Sequence, residues 1–331
     1  MNRRELLVAA AAAPLALALP ESPTAGGVGG TPTAFVTADT ESHVVALDLS
    51  TGVVSKRIRT LPGPRSIESA FMTWAVVAHT ATGRLSILHA PTLSVRRVVG
   101  GFREPRYTAV NPLWYARGDP GVRPLAYVTD SARREVVTVD VVRGTILWRT
   151  GVPGPARHVT ASPDGASLWT ALGTKAERVA VLDLEDPLRP HLARTFAPPF
   201  LAHDVVFADN SQHVWITSGD SRRFAVYERD GRRPVAVLDA GAAPQHVVFS
   251  GPLAFVASGD DGTVRLHRPD GALLHEARVP VGSYNVTLGW PGVITPSLGR
   301  GTLALLDARG RVRRVSRVAR AAHDACLVVT A

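Results

Sequence analysis

The chain of 331 residues has few residues of three kinds. It has one cysteine, Cys326, so no internal disulfide can form. Lysine occurs twice, and aromatic residues make up 6% of the chain. Charged residues account for 20% and hydrophobic residues for 45%, which excludes an intrinsically disordered chain. We therefore expect a globular protein whose core does not depend on disulfides.

After the N-terminus, the sequence has no apolar run long enough to span a membrane. An apolar stretch of about fourteen residues follows Arg3 and Arg4, which is shorter than the roughly 20 residues that a spanning helix needs. This pattern resembles a twin-arginine export signal of bacteria, with an ordinary secretory signal as the alternative. We expect an export signal over residues 1–25, a linker over 26–33 and one domain over 34–331, located in the periplasm or outside the cell.

Glycine and proline are abundant, at 29 and 25 residues, which disfavours long helices. Short apolar strands recur between turns, and the second strand of each repeated unit ends on an acidic residue or a histidine. These ends are Asp48, His89, Asp140, Asp183, Glu228, His267 and Asp307, with successive gaps of 41, 51, 43, 45, 39 and 40 residues. A period of about 40–45 residues with four short strands per unit is typical of a β-propeller blade. The one long gap predicts an inserted loop over residues 111–124.

Counting the strands predicts an all-β protein, a seven-bladed β-propeller with four antiparallel strands per blade. We name the strands a to d from the axis outward. Strand b is expected to start near Ala34, Trp74, Leu125, Ser167, His213, Leu253 and Gly292. The chain begins on a b strand and ends on an a strand, so the C-terminal strand should complete the N-terminal blade. Closure removes the two open sheet edges, and we expect a monomer.

Several segments carry a resemblance to a known repeat. The strands AFVT and AYVT, the connection RTGVPGPARHV and the turn ASPDG resemble the YVTN or YncE-like propeller repeat, and residues 126–171 match best. The streptogramin-lyase type of seven-bladed propeller has a similar repeat length and is a second resemblance. Both imply the propeller fold. Neither implies an activity, because propellers serve as binding proteins, scaffolds and enzymes alike.

Polar residues recur where strand a begins, which is where propellers present their channel. Aligned on the apolar residues that follow, the first ring comprises Glu68, Thr108, His158, Asp204, His246, Asn285 and Asp324. The preceding positions form a second ring, Ile67, Tyr107, Arg157, His203, Gln245, Tyr284 and His323. These fourteen positions hold four of the 11 histidines. Apart from Ile67, all of them are candidate ligand-binding residues at the channel mouth.

Histidine and carboxylate side chains suit Zn²⁺ or a similar divalent ion. The candidate metal ligands are His158, His203, His246, His323, Asp204 and Asp324. Three interpretations of the rings stay open: a structural hydrogen-bond network, a ligand or metal site, and a catalytic site. Our leading hypothesis is an exported propeller that binds a small ligand, a divalent metal or a protein partner without catalysis. The alternatives are a metal-assisted lyase or hydrolase and a cell-envelope scaffold.

The formal net charge of +9 comes almost entirely from arginine residues dispersed along the chain. A nucleic-acid-binding surface would group basic residues with stacking aromatic side chains. We therefore expect no nucleic-acid partner. An anionic polymer or a protein of the envelope is the alternative to a small-molecule partner.

Overall fold

The computed structural model describes residues 30–112, 123–209 and 212–331. Over these residues the chain forms seven four-stranded antiparallel sheets, the blades of a propeller. Two short 3-10 turns, Thr80–Thr82 and Ala90–Thr92, accompany the strands. Within the described ranges, no helix has the length and apolar character that crossing a bilayer requires. The predicted export signal, and most of the predicted inserted loop, lie outside the described residues.

The strands are numbered β1 to β28 in chain order. The a strands are β28 (Ala322–Thr330), β4 (Ser66–Ala70), β8 (Pro105–Val110), β12 (Val159–Ala161), β16 (Val205–Phe207), β20 (Val247–Ser250) and β24 (Thr287–Leu288). The b strands are β1 (Thr31–Ala38), β5 (Trp74–His79), β9 (Leu125–Asp130), β13 (Ser167–Ala171), β17 (His213–Thr217), β21 (Leu253–Ser258) and β25 (Gly292–Ser297). The first a strand and the first b strand in these lists belong to blade 1, the second of each to blade 2, and so on to blade 7.

The c and d strands complete the blades in the same order. The c strands are β2 (His43–Asp48), β6 (Arg84–His89), β10 (Glu135–Asp140), β14 (Val179–Asp183), β18 (Arg223–Glu228), β22 (Thr263–His267) and β26 (Thr302–Asp307). The d strands are β3 (Val54–Arg59), β7 (Ser94–Val99), β11 (Thr145–Gly151), β15 (His191–Phe196), β19 (Pro234–Asp239), β23 (Leu273–Arg278) and β27 (Val312–Arg317).

The predicted fold and closure are confirmed. Strand β28 pairs antiparallel with β1, with Cys326 opposite Phe35, and so completes blade 1. All seven c strands end at the predicted residues, and six of the seven b strands start at theirs. The exception is β1, which begins at Thr31 because the long final strand extends the pairing back to Thr31 and Thr330.

The core lies between neighbouring blades. Strands b and c are buried on both faces, because each blade packs face to face with the next, whereas the outer d strands alternate between exposed and covered positions. Phe35 and Cys326 of blade 1 pack with Val77 of blade 2 in one apolar cluster. Trp169 of blade 4 contacts Phe207 of blade 5 edge to face. The blades are therefore held mainly by apolar packing around the ring.

Threonines at the ends of three b strands link adjacent blades by hydrogen bonds. The Thr129 hydroxyl accepts a bond from the Tyr107 amide at 3.0 Å and donates to the Arg157 carbonyl of the next blade at 2.7 Å. Thr37 and Thr217 connect their own a strand to the next blade in the same way. These bonds fix the residues with which strand a begins, and those residues line the central channel.

Candidate metal centre

Two cavities lie along the propeller axis. The first, called the mouth, has a volume of about 330 Å³ and opens on the face of the d–a and b–c loops. Its lining includes Arg65, Arg157, Thr174, Lys175, His203, Gln245, Tyr284 and His323. The second, called the inner chamber, has a volume of about 280 Å³, and its lining includes Glu68, Thr108, His158, Asp204 and Asp324. Tyr107, His246 and Asn285 line both cavities. The two predicted rings thus surround one channel.

Three of the four ring histidines converge where the cavities meet. His158, His203 and His246 each offer a nitrogen atom, and no two of these atoms lie more than 4.8 Å apart. The ring centroid of His158 lies 4.6 Å from that of His203 and 4.7 Å from that of His246. Each histidine lies just before an a strand, so three consecutive blades deliver one imidazole each. We call these residues the three-histidine cluster.

Each imidazole of the cluster has at least one nitrogen that is not used in a hydrogen bond to the described residues. The Nδ1 atom of His246 donates to Asp204 Oδ2 at 3.0 Å, and Nδ1 of His203 donates to the Thr174 carbonyl at 3.3 Å. Both contacts leave the Nε2 lone pair free. His158 is 1% exposed, and within the part of the chain that the structure describes neither of its nitrogens has a hydrogen-bond partner. A buried polar group without a partner costs about 1–3 kcal/mol, so His158 is the strongest sign that the cluster serves a ligand.

Two histidines of the cluster, His158 and His203, are held in the neutral form that metal binding requires. Burial lowers the pKa of His158 well below its ordinary value, and the neighbouring imidazole of His203 lowers it further. Burial also lowers the pKa of His203 to about 4, with a further contribution from His246. The ring of Tyr107 packs against the cluster with its centroid 4.1 Å from that of His158. This aromatic wall and the surrounding strands exclude water from one side of the histidines.

The other predicted metal ligands occupy different positions. His323 lies outside the cluster, because its Nδ1 donates to the Arg65 carbonyl at 2.8 Å. Asp324 accepts bonds from the amides of Ile67 and Ala325 through its two oxygens. Asp204 contacts the cluster through His246, where it orients the imidazole and fixes its tautomer. Three of the six candidate metal ligands thus lie together in the cluster, and a fourth, Asp204, contacts the cluster through a hydrogen bond to His246.

Other predicted ring residues have structural contacts. Gln245 donates to the Gly219 carbonyl and accepts from the Gly259 amide, while the Tyr284 hydroxyl donates to Asp260 at 2.7 Å. Asn285 donates to the His323 carbonyl at 3.0 Å. The hydroxyl of Thr108 is buried, has no hydrogen-bond partner among the residues that the structure describes, and belongs to a residue that lines the inner chamber. The rings therefore combine a structural network with the three-histidine cluster.

Sequence reasoning missed Arg65, Thr174 and Lys175, which line the mouth. The amide of Arg65 donates to the Ala78 carbonyl, as the amide of Arg157 does to Ala171 in blade 4. Arg65 therefore occupies the position before strand a in blade 2. The alignment on apolar residues had placed Ile67 there, because apolar content does not fix the register of a short strand. The hydrogen bonds between β4 and β5 are what identify Arg65, the residue directly before Ser66, as the residue at this position.

Comparisons with known proteins extend to the fold only. No protein-family model matches the chain, and no curated protein matches it in sequence. A functionally unknown protein from Desulfotomaculum acetoxidans is similar in structure, with a TM-score of 0.74, 11% identity, and coverage of 90% of this chain and 99% of that chain. Kuenenia stuttgartiensis hydrazine synthase has a TM-score of 0.64 at 15% identity, covering 80% of this chain and 89% of that chain. At such identities the similarity supports the seven-bladed propeller and no specific activity.

Proposed function

We propose that this propeller binds a divalent first-row metal ion, with Zn²⁺ as the reference ion, through His158, His203 and His246. The observation that carries the proposal is the convergence of three imidazoles, of which the most buried, His158, has no hydrogen-bond partner among the described residues. Imidazole nitrogen is a preferred ligand of zinc, copper, nickel and iron. In a tetrahedral zinc site, three nitrogens at about 2.1 Å from the ion lie about 3.4 Å apart, so a small rotation of the rings closes the cluster around an ion.

The support for this site extends beyond the ligands themselves. Asp204 contacts His246 in the manner of the carboxylate–histidine pairs that tune metal ligands. His158 and His203, whose pKa values are lowered, stay neutral at pH 7. The ion therefore does not have to compete with an added proton for their nitrogen atoms. Three consecutive blades fix the imidazoles on a rigid ring, which reduces the reorganisation needed for binding.

The test is a zinc titration of chelator-treated protein against a chromophoric competitor. We expect one Zn²⁺ per chain, with affinity lowered by about 100-fold or more in His246→Ala and in His203→Ala, because either change removes one of three ligands. Asp204→Asn should weaken binding by about 10- to 100-fold, as expected for a residue that supports a ligand. His203 is less buried than His158, so its replacement tests the site with less risk to folding.

Two histidine variants serve as controls. His323→Gln alters a ring histidine outside the cluster, and His191→Ala alters an exposed histidine on the outer strand β15. Both should bind zinc as the unaltered chain does. Sub-stoichiometric zinc, or equal loss of affinity in the control and cluster variants, would refute the metal site.

The second candidate function is a metal-assisted lyase or hydrolase. One observation favours it: three protein ligands leave a fourth metal position, and His203 and His246 both line the mouth. Catalytic zinc sites have this composition, in which the fourth position holds water or substrate. Hydrolysis of p-nitrophenyl acetate by the zinc-loaded chain, lost in His246→Ala, would favour this function over binding alone.

A further inference from the structure

The charges along the channel are unevenly distributed around the three-histidine cluster. The mouth is lined by three cationic side chains, Arg65, Arg157 and Lys175, and by the carboxylate of Asp220, which pairs with Lys175. The inner chamber contains three carboxyl groups, those of Glu68, Asp204 and Asp324. The cluster lies between these two regions, because His203 lines the mouth, His158 lines the inner chamber and His246 lines both. The cationic side chains therefore attract an anion to the mouth side of the cluster, whereas the inner chamber offers it carboxyl groups.

Arg157 differs from the other two cations in its partners. Arg65 lies 3.5 Å from a carboxylate oxygen of Asp39, and Lys175 lies 2.9 Å from one of Asp220. Within the described residues, Arg157 forms no ion pair. Its Nη1 donates to the Thr174 hydroxyl at 2.6 Å, and its Nε is buried without an acceptor. The half-buried guanidinium group thus has an unbalanced charge.

The position of Arg157 connects it to the proposed metal. It precedes His158 in the chain, and its guanidinium carbon lies 5.9 Å from the ring centroid of Tyr107. The same ring packs on His158 at 4.1 Å and lies 5.8 Å from His246. A ligand of a few atoms that touches the metal at the mouth therefore comes within reach of Arg157.

Charge balance gives a reason for such a ligand. Three neutral imidazoles leave the full double charge of a bound divalent ion, and Asp204 offsets part of it through His246. A buried charge that is not balanced is costly, and Arg157 adds a further positive charge nearby. The cationic side chains line the mouth and the carboxyl groups line the inner chamber, so we expect a compensating anion to enter from the mouth.

On the basis of the proposed metal site, we propose that the fourth metal position takes an oxygen atom of a small oxyanion, a carboxylate or phosphate. The anion enters through the mouth, and Arg157 donates hydrogen bonds to its remaining oxygens. Guanidinium groups suit this role because their planar donors match carboxylate and phosphate oxygens. The volume of the mouth, about 330 Å³, lies near the lower limit of roughly 300–1,000 Å³ for ligand pockets, which restricts the anion to a small molecule.

The experiment uses the full chain loaded with Co²⁺, whose visible absorption reports changes in its ligands. Acetate and inorganic phosphate are titrated separately, and the stronger binder identifies which source of the oxyanion the site prefers. We expect saturable spectral changes with at least one of them. Arg157→Gln should weaken anion affinity by roughly tenfold or more, as expected for loss of a charge-assisted hydrogen bond, while the chain still binds cobalt stoichiometrically. Arg157→Lys keeps the positive charge but lacks the planar set of guanidinium donors. Its anion affinity should lie between those of the unaltered chain and Arg157→Gln.

The matched control is Arg178→Gln, an exposed arginine in the b–c loop of the same blade that does not line the mouth. Its anion affinity should equal that of the unaltered chain. Failure to bind cobalt would refute the metal site and this inference together. Stoichiometric cobalt whose spectrum neither anion changes, or an Arg157→Gln affinity equal to that of Arg178→Gln, would refute the anion site alone.

Discussion

Glu68 and Asp324 share the inner chamber, and burial raises the pKa of both carboxyl groups, to about 8 and about 6. The nearby Asp324 raises the pKa of Glu68 further, whereas a bond from the Ser69 amide lowers it. Burial raises the pKa of the Cys326 thiol well above its ordinary value, and the charges of Glu68 and Asp324 raise it further, so the thiol stays neutral. At pH 7 the Glu68 side chain is therefore mainly protonated, unlike an exposed glutamate.

This shift predicts a loss of stability with rising pH. The folded protein holds the Glu68 proton up to about pH 8, whereas the unfolded chain releases it near pH 4.5, so the free energy of unfolding falls between these values. The glutamine of Glu68→Gln cannot ionise. This variant should therefore lose the part of the decrease in unfolding free energy that Glu68 causes. In chelator-treated protein, we expect the difference in Tm between pH 5 and pH 9 to shrink by at least about 3 °C, which corresponds to about 1 kcal/mol.

The control for this measurement is Glu177→Gln, an exposed glutamate in the b–c loop of blade 4. It should leave the pH dependence of Tm unchanged. A Glu68→Gln variant whose Tm falls with pH as steeply as that of the control would show that Glu68 is already ionised in the folded chain.

At the scale of the element, the ends of the b strands determine how the blades are linked. Thr129→Val keeps the shape of the side chain but removes the acceptor for the Tyr107 amide and the donor for the Arg157 carbonyl. We expect the free energy of unfolding to fall by about 1–3 kcal/mol, because buried backbone groups lose their partner. Urea denaturation followed by circular dichroism measures the change.

Thr170 provides a matched control in strand β13. It is as buried as Thr129, but over the described residues the one hydrogen bond of its hydroxyl goes to the adjacent Ala171 carbonyl, at 3.4 Å. Thr170→Val should change stability by less than about 0.5 kcal/mol, the usual range for a substitution that removes no important contact. Equal losses in the two variants would mean that the Thr129 bonds between blades add nothing to stability.

At the scale of the whole molecule, stability depends on closing the ring. Strand β28 supplies the a strand of blade 1 and contacts the a strands of blades 2 and 7. Deleting the residues after Ala322 exposes the edge of β1 and the apolar faces that β28 covers. We expect the truncated chain to be insoluble on expression.

Deletion of Ala331 alone, which is exposed and lies beyond β28, is the control and should give soluble protein. The measurement is the soluble fraction after expression, followed by thermal melting. A soluble truncated chain that melts cooperatively would contradict the requirement for closure.

The positions of the blades could be predicted because they depend on local sequence. Each c strand ends at Asp48 or an equivalent residue, where a polar side chain begins a turn, as Asp48 does by accepting a bond from the Ser50 amide. The alternation of apolar strands and turns repeats at the period of a blade, so the count of blades follows from the chain itself. The position of Arg65 in the lining of the mouth could not be predicted from the sequence, because β4 is short and its register depends on hydrogen bonds to β5.

The architecture, the closure by the last strand and the enrichment of histidine around the axis follow from the amino-acid sequence, because they depend on periodicity and on the need to pair sheet edges. Which histidines meet depends on the folded ring. His158, His203 and His246 come from three consecutive blades, whereas His323 forms a hydrogen bond to Arg65 instead. Residues about 40 positions apart in the chain acquire a common site only when the ring closes, and their distances depend on side-chain directions that no linear pattern contains.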